Sequence, residues 1–352
     1  MNDTAVDVSC IIPVHNHRTH LTRLLESLRE GLTDAIRHEI IVADDASTED
    51  LSGLCAEFGA RHIRVEPNQG PANARNAGAA EARGAVLLFF DADVVYASGA
   101  AEKAWRLLTQ ERPDAVAVSF MHQPFQPGDA AVANYQAATE HYWTSQLFDD
   151  PNQDVVEGCG FASRSGAVRR EAYEAIRGFD PHYKTNAHED YDFGKRIAAH
   201  GTVLVTRTPI IYHDYPARLA RVIRNLWVRV HLFIPYVLTH KAGLFKIQIS
   251  PKEGRIRLAG GFGFPAAAAL VLVPTPAQPV FAAAALACLA YYGAGVAPFL
   301  RRARAWSQST VFTVQCALIH GATSAVINVA SGLALLRFLM GQRAAPLRSP
   351  VH

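Results

Sequence analysis

Short apolar runs alternate with amphipathic ones along the first third of the chain. Residues 8–14 (VSCIIPV) pattern as a buried strand. Leu21, Leu24, Leu25 and Leu28 then fall on one face of a helix, with Thr19 as its expected cap. The same alternation predicts strands over 38–43 (HEIIVA), 61–65, 85–90 (AVLLFF) and 115–120, and helices over 49–58, 71–83 and 99–110. Pro71 opens the alanine-rich third helix, in the turn where its missing N–H goes unused. Strands and helices taking turns predict an α/β fold, a mixed, mostly parallel sheet flanked by helices. The middle, 123–208, is less regular and holds expected helices over 130–148 and 189–200, and 209–212 (PIIY) reads as a last strand.

Downstream the pattern changes character. Residues 218–246 interleave Arg218, Arg221, Arg224 and Arg229 with Trp227, Phe233 and Tyr236. That suits a helix lying on a membrane surface or a solvated basic helix packed on the domain. After Arg257 come three uncharged stretches, 258–273, 280–300 and 307–336. About 20 apolar residues span a bilayer, so the second and third are long enough and the shorter first reads as re-entrant or tilted. The alternative is an apolar helical domain in water. Arg301, Arg302 and Arg304 form a loop that the positive-inside tendency places in the cytoplasm. Residues 258–300 then make a hairpin with PTPAQP at its far turn. Residues 307–336 either cross once or double back near His320-Gly321, the latter favoured by Arg337, Arg343 and Arg348. The expected organisation is a catalytic domain over 1–215 with halves meeting near 120, a basic juxtamembrane region over 216–257, an apolar transmembrane region over 258–340 and a tail over 341–352.

Composition narrows the function classes. Lys and Arg number 34 against 32 Asp and Glu, so the formal net charge of +2 gives no global basic field for nucleic acid. The five cysteines, Cys10, Cys55, Cys159, Cys288 and Cys316, contain no CxxC pair. They argue against a disulfide framework or zinc ribbon and fit a reducing compartment. Residues 1–8 carry neither a basic start nor an apolar run, so no signal peptide is expected.

Polar clusters follow the predicted strands, and in an open α/β sheet ligands bind beyond the carboxyl ends of the strands. Pro13, His15 and Asn16 follow the first strand, and Asp44, Asp45 and Ser47 the second. Asn68-Gln69-Gly70 precedes the helix that carries Arg75 and Asn76, where backbone amides and a guanidinium favour an anion. Arg75 could equally pair with a surface carboxylate. Asp91-Ala92-Asp93 follows LLFF, so an apolar strand delivers two carboxylates to its tip. Such oxygens suit Mg²⁺ or Mn²⁺, which also bridge phosphates. Alone, Asp-x-Asp is more often a turn, and Asp45 or Ser47 can simply cap the next helix. Glu189 and Asp190 open a helix whose amino terminus would lower their pKa values or be capped by them.

Taken together, IIPVHN, IVADDAST, NQGPANARNAG and FFDADV resemble the nucleotide-binding half of family two glycosyltransferases, which have the GT-A fold. The resemblance continues through 158–180 (GCGFASRSGAVRREAYEAIRGFD), His188-Glu189-Asp190-Tyr191-Asp192 and Tyr212-His213, and covers about 8–214. It implies a nucleotide-sugar donor contacted by Pro13, His15, Asn16, Asp44, Asp45, Asn68, Gly70, Arg75 and Asp91. It further implies a divalent cation, Mg²⁺ or Mn²⁺, at Asp93 with Asp91 and His213, and Asp190 as general base, with Glu189 and Gly158 on the acceptor side. The Gln-x-x-Arg-Trp motif of processive members is absent, since Arg224-Asn225-Leu226-Trp227 stands instead, which argues against a polymerase.

The physics leads the same way. Displacing a nucleoside diphosphate needs its charge stabilised, which a cation does, and the attacking hydroxyl needs a base within reach. One base without a separate covalent nucleophile implies single displacement with inversion. The expected acceptor is a lipid-linked or other glycan, or a lipid, with Tyr142, Trp143 and Tyr183 as candidate contacts. The expected location is the inner cell membrane, with the catalytic domain cytoplasmic and no nucleic-acid partner. Two other classes compete. A sugar-1-phosphate nucleotidyltransferase wants a glycine-rich loop after the first strand, and His15-Asn16-His17-Arg18 has no glycine. A non-catalytic nucleotide-sugar-binding protein has no need of both Asp93 and Asp190.

Overall fold

A computed structural model describes residues 6–126, 128–158, 160–184, 189–239 and 251–340. Cys159, His188, residues 240–250 of the juxtamembrane region and the 341–352 tail lie outside the described residues. In chain order the elements are β1 (Val8–Val14), α1 (Arg18–Gly31), β2 (His38–Asp45), α2 (Ser52–Glu57), β3 (Arg61–Val65), α3 (Pro71–Glu81), β4 (Val86–Phe90), β5 (Val94–Val95) and α4 (Ala100–Arg106), which continues as a π turn. Then follow β6 (Ala115–His122), α5 (Ala131–Ser145), β7 (Val155–Glu157), β8 (Ser165–Arg169), α6 (Arg170–Ala175), α7 (Glu189–Ile197) and β9 (Thr202–His213). Last come α8 (Leu219–Thr239), α9 (Pro251–Leu258), a π turn (Ala259–Gly263), α10 (Phe264–Val271), α11 (Gln278–Ser307) and α12 (Thr310–Leu339).

The described residues divide into two compact units, one reaching to Gln123 and resuming over 144–214, the other formed by 124–143, 215–239 and 251–340. The first unit is built on one sheet in the order β3-β2-β1-β4-β8-β6-β9-β5, with β7 paired to β9. β1, β2, β3 and β4 pair in parallel, as do β6 and β9, whereas β8 runs against both β4 and β6. The six parallel-running strands therefore end on one edge, and β5, β7 and β8 run the other way. Alternation along β1 assigns its side chains to two layers. Cys10, Ile12 and Val14 join the core under α1, α2 and α4, which contains Leu21, Leu24, Leu25 and Leu28, while Ile11 faces the layer of α3, α6 and α7. The central strands β1, β4 and β6 are thus covered on both faces and buried along their length.

Local differences from the sequence expectation have identifiable causes. Thr19 does not cap α1. The helix starts at Arg18 after His17 in the left-handed conformation, and no side chain caps it. β5, β7, β8 and α6 are too short or too mixed in pattern to stand out in sequence, and partner strands hold the three strands in place. The 130–148 helix ends at Ser145, and its first part belongs to the second unit instead of the catalytic domain. There Tyr135 and Ala138 share a core with Phe299, Phe312 and Cys316.

In that second unit α11 and α12 are 30 residues each, with mean hydropathy 1.8 and 1.5 over their most apolar windows. At 1.5 Å per residue such a helix reaches about 45 Å, against a hydrocarbon core of about 30 Å. Both are long and apolar enough to cross a membrane, and little of either is buried within the protein. α12 runs unbroken through His320 and Gly321, so the doubled-back path for 307–336 is replaced by one continuous helix. His320 sits inside it because Tyr292 of α11 hydrogen-bonds its Nδ1 at 2.8 Å, satisfying the buried ring. Tyr142 packs on Phe299 with ring centroids 5.5 Å apart, and Trp143 carries the Arg257 guanidinium at 5.4 Å, so both aromatics serve this unit's own packing.

Candidate functional site

Two groups of side chains gather on the carboxyl edge of the sheet. The first is a hydrogen-bonded rim. Pro13 lies beyond the last residue pair of β1 with β4, so its lack of an N–H interrupts no bond there. His15 Nδ1 donates to the Asp45 carbonyl at 2.7 Å, and Asn16 Oδ1 accepts from Thr48 N at 2.8 Å. Asn16 and His17 are both left-handed, which turns the chain sharply from β1 into α1. Asp45 is buried, and its two oxygens accept from Gln69 N and Gly70 N at 2.8 Å each, while Asn68 Nδ2 reaches the Asp45 carbonyl at 2.9 Å. The two amides expected to await an anion are therefore held by Asp45. Gly70 cannot be replaced: its φ is +88°, and a Cβ would stand 2.6 Å from the Lys184 carbonyl oxygen.

Asp44 is fully buried. Its carboxylate accepts from Ser47 N at 2.8 Å and Arg64 Nη1 at 3.0 Å, with His62 Nε2 at 3.3 Å. Arg64 and His62 were invisible as site residues in sequence, because the parallel register that sets Asp44 beside Arg64 follows from strand pairing.

The second group is acidic. Asp91 and Asp93 follow β4, and the two residues of β5 then pair antiparallel with Tyr212 and His213 at the end of β9. This short ladder brings His213 Nε2 to 3.4 Å from Asp93 Oδ1. Asp93 Oδ1 is buried and accepts no hydrogen bond among the described residues, an orphaned oxygen suited to a hard cation. Burial pushes the Asp93 carboxyl up, but His213, with further help from the charges of His20 and Arg164, holds it well below the usual carboxylate range. Among the described residues no three His, Cys, Asp or Glu side chains are grouped to hold a metal alone. A cation on Asp93 and His213 would complete its shell with ligand or water oxygens. His122 is a further edge histidine that sequence reasoning missed: buried, bonded to Ser165 Oγ at 2.9 Å, its ring centroid is 6.0 Å from that of His213.

Asp91 does not face solvent alone. Arg75 Nη2 donates to its Oδ1 at 2.6 Å, and Arg75 Nη1 to Glu189 Oε1 at 3.3 Å. Arg75 is 1% exposed, so the anion-binding guanidinium expected from sequence is instead a buried counter-charge for two carboxylates. Asp190, next in α7, is half-buried, and its Oδ1 accepts from Tyr191 N at 2.8 Å. The expectation of lowered carboxylate pKa values at this helix start fails for Glu189. Burial and the neighbouring Asp190 charge push it up to about 7, outweighing Arg75.

The folded pKa of Glu189 thus lies above its ordinary 4.5. The stability tied to this group is present below that value and is lost as pH rises through about 7. Glu189→Gln should flatten this decline and make the protein relatively more stable at alkaline pH. Thermal unfolding across the pH range checks it, and a slope identical to wild type would count against the assignment.

Gly158 is not brought to this edge. Its N–H donates to Val203 O at 2.7 Å near the start of β9, and a Cβ there would stand 2.6 Å from Val205 Cγ2. Close packing accounts for that glycine, so the acceptor-side expectation drawn from the motif is replaced by a packing role.

Comparison with known proteins bears on the family and the fold. A family model described as Glycosyl transferase family 2 matches residues 9–177. An uncharacterized glycosyltransferase of Haemophilus influenzae is 28% identical over 192 residues, 53% of this chain and 60% of that protein. The succinoglycan biosynthesis protein ExoA of Rhizobium meliloti is 23% identical over 219 residues, 60% of this chain and 64% of its own. This chain therefore spans less than two thirds of the length of either relative. The mannosyltransferase PcManGT from Pyrobaculum calidifontis, solved with GDP-Man and Mn²⁺, superposes with a TM-score of 0.53 at 20% identity, covering 97% of this chain and 91% of that one. The likeness establishes the shared GT-A fold.

Proposed function

Residues 9–177 form a glycosyl transferase family 2 domain, and from that premise we propose that the chain moves a sugar from a nucleotide-diphosphate sugar to a lipid or glycan acceptor at the cytoplasmic membrane face, with inversion. The observation that carries the proposal is the meeting of Asp93 with His213 on the edge where Arg75 also joins Asp91 to Glu189, beside Asp190.

In this reading Asp93 and His213 hold a divalent cation, Mg²⁺ or Mn²⁺, and the solved mannosyltransferase of like fold carries Mn²⁺ with its GDP-Man. The cation would neutralise the charge developing on the departing diphosphate. Asp44, buried and held by Ser47, Arg64 and His62, would meet the nucleobase only if Arg64, whose side chain is 43% exposed, moved off it. The rim of His15, Asn16, Asp45, Asn68 and Gly70 gives the donor a rigid wall. Asp190 takes the proton of the attacking acceptor hydroxyl; a phosphate acceptor, already ionised, needs none removed. With one base and no covalent nucleophile, the acceptor oxygen bonds to the anomeric carbon as the bond to the nucleoside diphosphate breaks, a single displacement and hence the inversion.

A panel of nucleotide sugars, read by hydrolysis and by thermal shift with and without Mn²⁺, tests the proposal. A cation-dependent response to one donor is expected; silence across the panel would overturn it.

The membrane part rests on α11 and α12, whose Leu286 and Leu318 are 67% and 70% exposed, apolar surface suited to lipid. Alkaline carbonate washing should leave the full chain in the membrane pellet. Recovery in the supernatant without detergent would replace the anchor with an apolar helical domain.

A further inference from the structure

Arg75 lies beneath the site. Its carrier, α3, is anchored in the layer that also holds α7, where Phe179 stacks on Phe193 with ring centroids 4.2 Å apart. The Arg75 guanidinium rests 5.3 Å from the Phe179 ring centroid. From there one nitrogen reaches Asp91 at 2.6 Å and another reaches Glu189 at 3.3 Å. One planar cation thus joins the tip of β4 to the first residue of α7. A ligand for a diphosphate must be reachable from solvent, and a side chain 1% exposed with two nitrogens engaged is not.

Resting on the glycosyltransferase reading above, we propose that Arg75 is a positioning residue: it holds the start of α7, and with it Asp190, at a fixed place relative to the strand tip that carries Asp91 and Asp93. The donor side and the proton-accepting side of the reaction belong to different elements. Without the Arg75 guanidinium the Asp91 carboxylate and the Glu189 side chain lose their shared partner, and the tip of β4 and the start of α7 lose their fixed link. The forked guanidinium suits this place because it binds two carboxylates in fixed directions, whereas a lysine ammonium is a point charge on a flexible stem. Arg75 acts through Glu189, so the effects of changing the two residues should not add.

The test is a kinetic cycle on the full chain with Arg75→Met, Arg75→Lys, Glu189→Gln and the Met/Gln double variant, alongside calorimetric binding of nucleoside diphosphate with Mn²⁺. Arg75→Met should lower kcat by about 100-fold, the effect of roughly 1 Å misplacement of a reacting group, with nucleotide affinity unchanged. Arg75→Lys should recover part of the loss. In the Glu189→Gln background, Arg75→Met should cost much less than it does alone. Weakened nucleotide binding with kcat intact would make Arg75 a donor contact and overturn the proposal, as would an equal loss of kcat in both backgrounds. If the methionine variant does not fold, Arg75→Lys with and without Glu189→Gln completes the same cycle. A wild-type chain that neither binds nucleotide nor transfers sugar defeats the underlying reading, and this proposal with it.

Discussion

Asp190→Asn should cut turnover by about 10²–10⁴-fold, the usual contribution of a positioned general base, while nucleotide-sugar affinity stays where it is. The substitution preserves volume, and the asparagine Oδ1 can still accept from Tyr191 N, which Asp190 Oδ1 now meets at 2.8 Å. The start of α7 is therefore left as built. What disappears is a group able to take a proton while the glycosidic bond breaks, an interaction realised only in the transition state, so kcat falls and donor binding does not. Single-turnover kinetics with a calorimetric donor affinity separate the two. Lost donor affinity with residual chemistry would make Asp190 a donor ligand and reassign the base.

Asp93→Ala should abolish cation-dependent donor binding and lower transfer by at least about 10²-fold, since a cation supplies several kcal/mol of charge stabilisation and each 1.36 kcal/mol is a factor of ten. The fold should survive, because the Asp93 side chain is 38% exposed and its Oδ1 meets only the long 3.4 Å contact with His213. The depressed pKa of Asp93 adds a sign. Its carboxylate stays ionised until pH falls below the ordinary range, so the acid limb of the rate profile comes from another group. Activity that is indifferent both to EDTA and to Asp93→Ala would remove the cation from the mechanism.

Much of the donor half was legible before any coordinates. VSCIIPV, HEIIVA and AVLLFF are short, largely β-branched or apolar runs of strand length, and the polar residues just past them lie at strand ends. His15, Asn16, Asp45, Asn68 and Gly70 do lie together there, though as a network bonded to itself. Asp93 and His213 could be named separately, but nothing in their neighbouring residues says that they meet. That meeting depends on two residues, Val94 and Val95, pairing with a strand more than a hundred positions away.

What the amino-acid order determined by itself is local. The apolar period chose strands and helices, the lengths of the uncharged runs chose α11 and α12, and the strand-end carboxylates marked the reactive edge. Tertiary structure alone decided which partner each charge received. It buried Arg75 between Asp91 and Glu189, laid Arg64 against Asp44, and moved Gly158 into packing against Val205. The reason is the range of the forces. Backbone sterics and side-chain periodicity act within a few residues, so they can be read in order along the chain. Charge pairing, burial and the pKa of Glu189 depend on distances across the fold, and those exist only once the sheet has chosen its strand order.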